Sequence, residues 1–431
     1  MEKEQNRKDT DQIKKDKAFL VGVNIDNDPG FEQSMAELKS LAKACEMEVV
    51  GRAEQNLPSI NQAFYIGSGK VEEIKVAASM LGAELILFDN SLTPSQLRNL
   101  QDRLDMTIMD RTNLILEIFS KRARTREARM QVEIASLEYA MPRLIGMGQV
   151  LSRQGGTSGG MSNKGAGEKK LELDRRRISH RISELKKELK QVEKERATQR
   201  KQRKASGIPL AALVGYTNAG KSTLLNRMVE EYVGQEERKV VAKDMLFATL
   251  DTTVRKITPP GCQPFLLSDT VGFINRLPHH LVKAFRSTLE EVKQADLLLH
   301  VVDYSDPDYR EQMKVTKETL KDLGVEHLPC IYIFNKADKV MSDLPVRKKD
   351  KIYLSAKAGI GHEELLEMIY EEAFSDYIDC TMVIPYEQGS LISYFNTEGM
   401  VKNTAYEPEG TVVKLHCPMR DYEKYKEYLL R

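Results

Sequence analysis

Eight residues near the middle of the chain, GYTNAGKS (215–222), set two glycines, a lysine and a hydroxyl at the spacing G-x4-G-K-[ST]. They follow the apolar run PLAALVG and open a helical pattern, so strand, loop and helix are expected in that order. Gly215 and Gly220 let such a loop wrap phosphate groups, whose charge main-chain N–H groups and the helix N-terminus would meet. Lys221 is expected on the β- and γ-phosphates and Ser222 on Mg²⁺. The nucleotide-binding loop is read as Gly215, Tyr216, Thr217, Asn218, Ala219, Gly220, Lys221, Ser222 and Thr223.

Three later motifs name the base. In SDTVG (268–272) Asp269 would hold Mg²⁺ through water and the Gly272 N–H would sense the γ-phosphate, with Thr270 and Val271 between them. In NKAD (335–338) the Asp338 carboxylate can accept both the N1–H and the exocyclic N–H of guanine, a donor pair that adenine lacks. Asn335 would support that loop and Lys336 would cover the ring. In SAK (355–357) Ser355, Ala356 and Lys357 would close the site, the Ala356 N–H meeting the guanine O6. Four motifs in this order, each after a strand, point to a GTP-hydrolysing switch protein with Mg²⁺ as its cofactor. A switch threonine should complete the metal shell within DMLFATLDTTVRK (244–256), where Thr249, Thr252 and Thr253 compete. Phe273 follows Gly272 where many such enzymes place a glutamine that orients water. Phenylalanine cannot do so, and hydrolysis should stay slow until a partner orders the switches. Asn218 sits where a subset of related GTPases hold a K⁺ ion in place of an arginine finger, a resemblance that implies the same role here, or else its amide only structures the loop; Lys221, Thr249, Gly272 and Asn218 are the residues assigned to catalysis.

The rest of the 431 residues must carry this site. Residues 1–17 read as a solvated tail, 18–112 as a strand–helix alternation forming a small α/β domain, and 207–375 as a doubly wound parallel-sheet domain. Residues 376–431 read β-α-β-α. Within the first domain, AFYIGSG reads as a strand, and GSGK (67–70) reads as a tight turn rather than a phosphate loop, because the earlier glycine is replaced by Phe64. Between the α/β domains lies 113–206. Met130, Ile134, Leu137, Met141 and Leu144 fall at 4-3-4-3 spacing, as do Ile178, Ile182, Leu185, Leu189 and Val192, so an antiparallel helical arm is expected. Its tip, 146–168, includes RQGGTSGGMSNKGAGE. Basic clusters at 121–129, 173–181 and 195–206 favour nucleic-acid phosphates as the arm's partner. Global charge selects no partner, since 65 basic and 64 acidic residues nearly cancel. No window approaches 18 apolar residues, so no membrane insertion is expected. Five scattered cysteines, odd in number, fit a reducing cytosol better than a disulfide framework.

The chain as a whole resembles the HflX family of ribosome-associated GTPases. The resemblance rests on LSRQGG…GAGE…LDRRRI, GYTNAGKSTLLN, DMLFATLD and DTVGFI, flanked by the N-terminal and small C-terminal domains. FAT in DMLFATLD is similar to the switch segment of related translation GTPases and favours Thr249. The resemblance implies a monomer in the cytoplasm that binds the 50S subunit and its 23S rRNA and splits stalled or idle 70S ribosomes. It puts the arm tip near the peptidyl-transferase centre, with Arg153, Gln154, Gly155, Gly156, Lys164, Arg175, Arg176 and Arg177 as the contacts. One departure stands out: KGAGE (164–168), preceded by TSGGMSN, replaces the family's usual Arg-Gly-Pro-Gly-Glu stretch. An altered tip is similar to the branch that rescues drug-stalled ribosomes, while neutral drift of the loop is the alternative. A GTP-switched assembly factor and an RNA-remodelling NTPase are the other functions weighed.

Overall fold

The computed structural model describes residues 15–154, 162–205, 207–233, 246–247, 253–275, 291–398 and 400–430. The chain forms two compact units: residues up to Lys121 with Arg129–Lys186, and Arg122–Ala128 with Lys187 onward.

In the first unit, β1 (Lys17–Ile25), β2 (Glu48–Leu57), β3 (Leu85–Phe88) and β4 (Thr107–Asp110) form a wholly parallel sheet in the order β2-β1-β3-β4. AFLVGV is apolar without alternation because both faces of such a sheet are covered. Phe19, Val21, Ile74, Ile86, Phe88, Leu100 and Ile108 are buried together on one face. Helices α1 (Phe31–Ala44), α2 (Ser68–Met80), α3 (Pro94–Leu104) and α4 (Arg111–Arg122) complete the fold. The α3 start is written in its residues: Thr93 and Gln96 exchange side-chain-to-backbone hydrogen bonds, and Pro94 opens the first turn. α4 carries a buried charge, Arg111, paired with Asp89 at 2.7 Å and with Glu37.

AFYIGSG is not a strand. The Asn61 side-chain oxygen accepts the N–H groups of Ala63 and Phe64 (2.8 and 3.0 Å), which closes a turn, and Tyr65 takes a left-handed φ of 68°. Gly67 then caps α2 while its N–H donates to the Gln55 side chain, so GSGK opens a helix. The 112/113 boundary also fails, for it falls inside α4, whose Leu114, Ile115, Leu116, Ile118 and Phe119 are buried.

The arm consists of α5 (Arg126–Gln154) and α6 (Ser162–Ala205). Within the first unit, Glu133 pairs with Arg181 and Glu138 with Lys186, both at 2.7 Å. Within the second, Glu127 pairs with Arg196 and Arg126 with Glu188, both at 2.8 Å. The earliest residues of α5 meet later residues of α6 than Glu133 and Glu138 do, as an antiparallel hairpin requires. Met130, Ile134, Ile182 and Leu185 are buried, and the other stripe residues whose side chains are described are half-buried. The tip is shorter than 146–168: helix runs to Gln154 and resumes at Ser162, leaving 155–161 outside the described residues. Glycine within a helix costs only about 1 kcal/mol relative to alanine, so Gly146, Gly148, Gly165 and Gly167 did not interrupt it. α5 is tied to the sheet by Tyr139, whose hydroxyl donates to Asp110 at 2.7 Å, and by Arg143, which donates to the Leu92 carbonyl.

The second unit holds a seven-stranded sheet made of β5 (Leu210–Val214), β6 (Thr253–Ile257), β7 (Phe265–Asp269), β8 (Leu297–Asp303), β9 (Cys330–Asn335), β10 (Val346–Lys348) and β11 (Lys351–Tyr353). Its order is β10-β11-β9-β8-β5-β7-β6. The five inner strands are parallel as expected. The outermost, β6 and β10, are antiparallel, so the sheet is mixed. Helices α7 (Lys221–Tyr232), α8 (Tyr309–Asp322) and α9 (His362–Ala373) pack on it, with one core around Leu213, Leu225, Phe265 and Ile369 and another around Ala212, Val214, Phe273 and Leu298. The C-terminal piece has one strand more than expected. β12 (Tyr377–Ile384), β13 (Met400–Glu407) and β14 (Gly410–Pro418) form an antiparallel sheet in the order β12-β14-β13, with α10 (Gly389–Glu398) and α11 (Met419–Lys424). β13 is an edge strand rich in polar residues, which hid it.

Candidate functional site

β5 delivers the chain into the 215–220 loop, and α7 begins at Lys221. Gly215 has φ +143°, and a Cβ there would lie 2.2 Å from the Val301 carbonyl oxygen. Gly220 has φ +99°, and its Cβ would meet the Asn335 amide nitrogen at 2.2 Å. Both positions require glycine on two counts, conformation and space. Asn218 (φ 62°) also turns left-handed, at the exposed crest of the loop. The loop is a concave run of backbone opening a helix, the geometry that binds anions.

Lys221 is buried and its ammonium donates to the carbonyls of Gly215 (3.0 Å) and Tyr216 (2.8 Å). Burial lowers its pKa to about 8, against an upward pull from Asp269. Ser222 donates to the Asp269 carboxylate at 2.6 Å. A hydroxyl and a buried carboxylate in contact are a hard-oxygen pair of the kind Mg²⁺ accepts while keeping most of its water. The Thr217 hydroxyl is buried with no hydrogen-bond partner among the described residues.

Thr270 and Val271 are buried, and the Thr270 hydroxyl donates back to the Leu213 carbonyl at 2.6 Å, tying the turn to β5. Gly272 packs so closely that a Cβ would lie 2.8 Å from Thr217 Cα and 3.0 Å from the Lys221 nitrogen. Phe273 is 3% exposed and belongs to the core beside Val214, so its side chain points away from the site.

The base-side motifs converge through Asn335. Its amide nitrogen donates to the Ala219 carbonyl at 2.8 Å, and its amide oxygen accepts the Ala356 N–H at 2.9 Å. One buried side chain thus ties the phosphate loop, β9 and the 355–357 loop together. The Ala356 N–H, expected on a guanine oxygen, is engaged here by Asn335. Lys336, at φ 57°, reaches the Asn218 carbonyl (2.9 Å) and Asp303 (2.7 Å). Asp338 is exposed, Ser355 is buried with its hydroxyl accepting the Ala358 N–H, and Lys357 is exposed with its carbonyl accepting Arg227 at 2.7 Å. Thr223 lies in the first turn of α7.

Sequence reasoning missed Asp303 and Arg227. The first could have been found as the last residue of β8, at the same strand-end level as Asn335, with which it is paired. Thr253 begins β6 opposite Asp269, so its backbone belongs to the sheet. Thr249 and Thr252 lie outside the described residues, as do Gly155 and Gly156 of the tip. Arg153, Gln154 and Lys164 lie on α5 and α6, but their side chains are outside the described set. Arg176 and Arg177, on α6, are exposed and paired with Glu172 (2.6 Å) and Asp174 (3.6 Å); Arg175 is exposed beside them.

Fold and site together define a P-loop GTPase. Residues 32–120 match the family described as GTP-binding GTPase N-terminal, 122–203 its middle region, and 210–336 the family described as 50S ribosome-binding GTPase. The chain is 43% identical to the GTPase HflX of Caldanaerobacter subterraneus subsp. tengcongensis, over 97% of this chain and 96% of that protein. It is 36% identical to the GTPase HflX of Escherichia coli K12, over 95% of each. A crystal structure of a GTP-binding protein from Sulfolobus solfataricus in complex with GDP is 25% identical, with a TM-score of 0.44, covering 84% of this chain and 99% of that one. The chain belongs to the HflX family of GTPases. Among the described residues, no helix is long and apolar enough to cross a membrane.

Proposed function

We propose that this GTPase binds the 50S ribosomal subunit in its GTP state, separates the subunits of stalled or idle 70S ribosomes, and is released after hydrolysis. The nucleotide-switch part of the reading rests on the strut at Asn335, which holds the phosphate loop and both base-side loops in one arrangement, and the paired helical arm is the part offered to the ribosome. The GTPase region's likeness to a family described as 50S ribosome-binding supports the choice of partner.

At the site, Asp338 accepts the two donors of guanine, and Lys336, held by Asp303 and the Asn218 carbonyl, lies along the ring. The Ala356 N–H shares its proton between Asn335 and the guanine oxygen. Lys221 turns from the loop carbonyls to the β- and γ-phosphates, which restores full charge to an ammonium that burial disfavours. Ser222 and Asp269, with Thr249 from the first switch, would hold Mg²⁺, which when bound neutralises charge between the β- and γ-phosphates. Gly272 brings its N–H to the γ-phosphate. Phe273, committed to the core, supplies nothing to the attacking water, so basal hydrolysis is slow and the ribosome supplies the missing order, with K⁺ at Asn218 as the candidate charge. Arg153, Gln154, Gly155, Gly156, Lys164 and Arg175–Arg177 contact 23S rRNA, and the altered tip suits a role in resistance to antibiotics that act on the 50S subunit.

Sedimentation of 70S ribosomes with the protein and GTP, GDP or a non-hydrolysable analogue tests the reading. Subunit release with GTP or the analogue, and none with GDP, is the expected result. Intact 70S particles under all three conditions would refute splitting, and selective retention on precursor particles would make the protein an assembly factor.

A further inference from the structure

We propose that the Tyr216 hydroxyl is a positioning group for γ-phosphate recognition, holding the segment that follows Gly272 against the phosphate loop. The inference rests on the reading that Gly272 senses the γ-phosphate, and adds the residue that sets where Gly272 stands. Tyr216 is 8% exposed and lies second in a loop whose other members serve the phosphates through backbone. Its main chain pairs with Phe273 in a short parallel bridge: the Thr217 N–H donates to the Phe273 carbonyl at 2.8 Å and the Phe273 N–H to the Gly215 carbonyl at 3.1 Å. Those two bonds come from the backbones of Gly215 and Thr217 and do not depend on the side chain at 216. The third needs a phenol, since the Asn275 N–H donates to the Tyr216 hydroxyl at 2.7 Å.

The three bonds hold the C-terminal side of the peptide that matters, and a separate tie holds its N-terminal side. Asp269 and Thr270 fix its N-terminal side to β7 and β5, and the bridge and the Tyr216 hydroxyl fix its C-terminal side to the loop. Gly272 between them packs so tightly that a Cβ there would lie 2.8 Å from Thr217 Cα and 3.0 Å from the Lys221 nitrogen that reads the same phosphates. A GDP ligand needs the loop but not the Gly272 N–H. GTP needs both, so loss of the phenolic contact should act on GTP selectively.

Tyr216→Phe in the full chain keeps the ring and the backbone bridge and removes the oxygen. Affinities for GDP and for a non-hydrolysable GTP analogue are measured by competition against a fluorescent guanine nucleotide. The analogue should bind about threefold to tenfold more weakly, the span of one hydrogen bond, with GDP changed by less than about twofold. Retained GDP affinity also reports that the variant is folded. Equal losses for both ligands would make Tyr216 a structural member of the loop and overturn the proposal, as would no loss for either. Gly272→Ala separates the two layers of the argument. If it loses selectivity for the analogue while Tyr216→Phe keeps it, the Gly272 reading stands and the Tyr216 proposal falls; if neither loses it, the Gly272 reading itself is wrong.

Discussion

Replacing Asn335 with alanine should damage the site without touching any group that Asn335 would present to nucleotide. The amide makes two buried hydrogen bonds, to the Ala219 carbonyl and from the Ala356 N–H, and is 2% exposed. Truncation strands a carbonyl and an N–H, each costing about 1–3 kcal/mol when left buried and unpaired, for a loss of about 2–6 kcal/mol. Water entering the space vacated by the amide brings the figure toward the lower bound, about 2 kcal/mol, which is still roughly thirtyfold in an equilibrium constant. Because the stranded groups lie on two loops, both should loosen together. Urea unfolding followed by circular dichroism reads the loss, and hydrogen exchange by mass spectrometry over 216–220 and 354–358 reads its location. GDP and GTP should weaken in parallel. Asn335→Asp retains an acceptor for Ala356 and sets an oxygen against the Ala219 carbonyl, so exchange should rise at the phosphate loop more than at the other. An unchanged urea midpoint with unchanged protection of both loops in Asn335→Ala would refute the strut.

Lys221 gives a pH dependence of defined sign. Burial lowers its pKa to about 8 in the free protein, whereas phosphates favour the charged form, so above pH 8 binding must take up a proton. Nucleotide affinity should fall by up to about tenfold per pH unit there, while Lys221→Arg should lack this component; the base's own ionisation affects both proteins alike. Asp338→Asn should weaken GTP by at least about tenfold, through lost charge-assisted hydrogen bonds, and should raise preference for xanthosine nucleotides. Unchanged guanosine preference in competition assays would sink that assignment. Replacing residues 155–161 with a short turn should leave GDP affinity within about twofold, because the Glu133–Arg181 and Glu138–Lys186 pairs lie outside the change. Ribosome splitting should fall sharply, and sedimentation decides it. Potassium should speed ribosome-free hydrolysis over sodium if Asn218 serves a cation, and equal phosphate release in the two salts would remove that role.

The parts of the fold most legible in sequence were those whose chemistry leaves little choice. Gly215 and Gly220 are legible because positive φ and a close neighbour coincide there, the Val301 backbone at one and the Asn335 side chain at the other, and a nearly continuous apolar run such as LLLHVVD reads as an inner parallel strand. Local side-chain bonding defeated the pattern at AFYIGSG, where Asn61 closes a turn that apolar residues alone do not reveal. Composition misled at the tip, since glycines that suggest a loop are tolerated in a long helix whose stripe is already paired. Within the site, NKAD suggested that Asn335 supports its loop, but its engagement of the Ala356 N–H depends on two loops 21 residues apart meeting in space. Phe273 was legible as a missing glutamine and illegible as a core residue, because burial is decided by what packs above the sheet.

The ion pairs along the arm change what its basic residues can do at a distance. Arg126, Arg181, Lys186 and Arg196 are each matched with a glutamate across the hairpin, and Arg176 and Arg177 with an acid one turn away. The pairs offset only part of the arm's charge, since residues 126–205 carry 20 Lys and Arg against 10 Asp and Glu, and the arm stays a polycation. At separations beyond the Debye length, about 8 Å in physiological salt, the matched charges largely cancel, and the unmatched basic excess alone draws RNA. Surface pairs are worth only about 0–1 kcal/mol each, so they exchange a carboxylate for a phosphate at small cost once shapes fit closely. The paired residues thus add an attraction that is short-ranged and depends on fit, on top of the general pull of the unmatched excess.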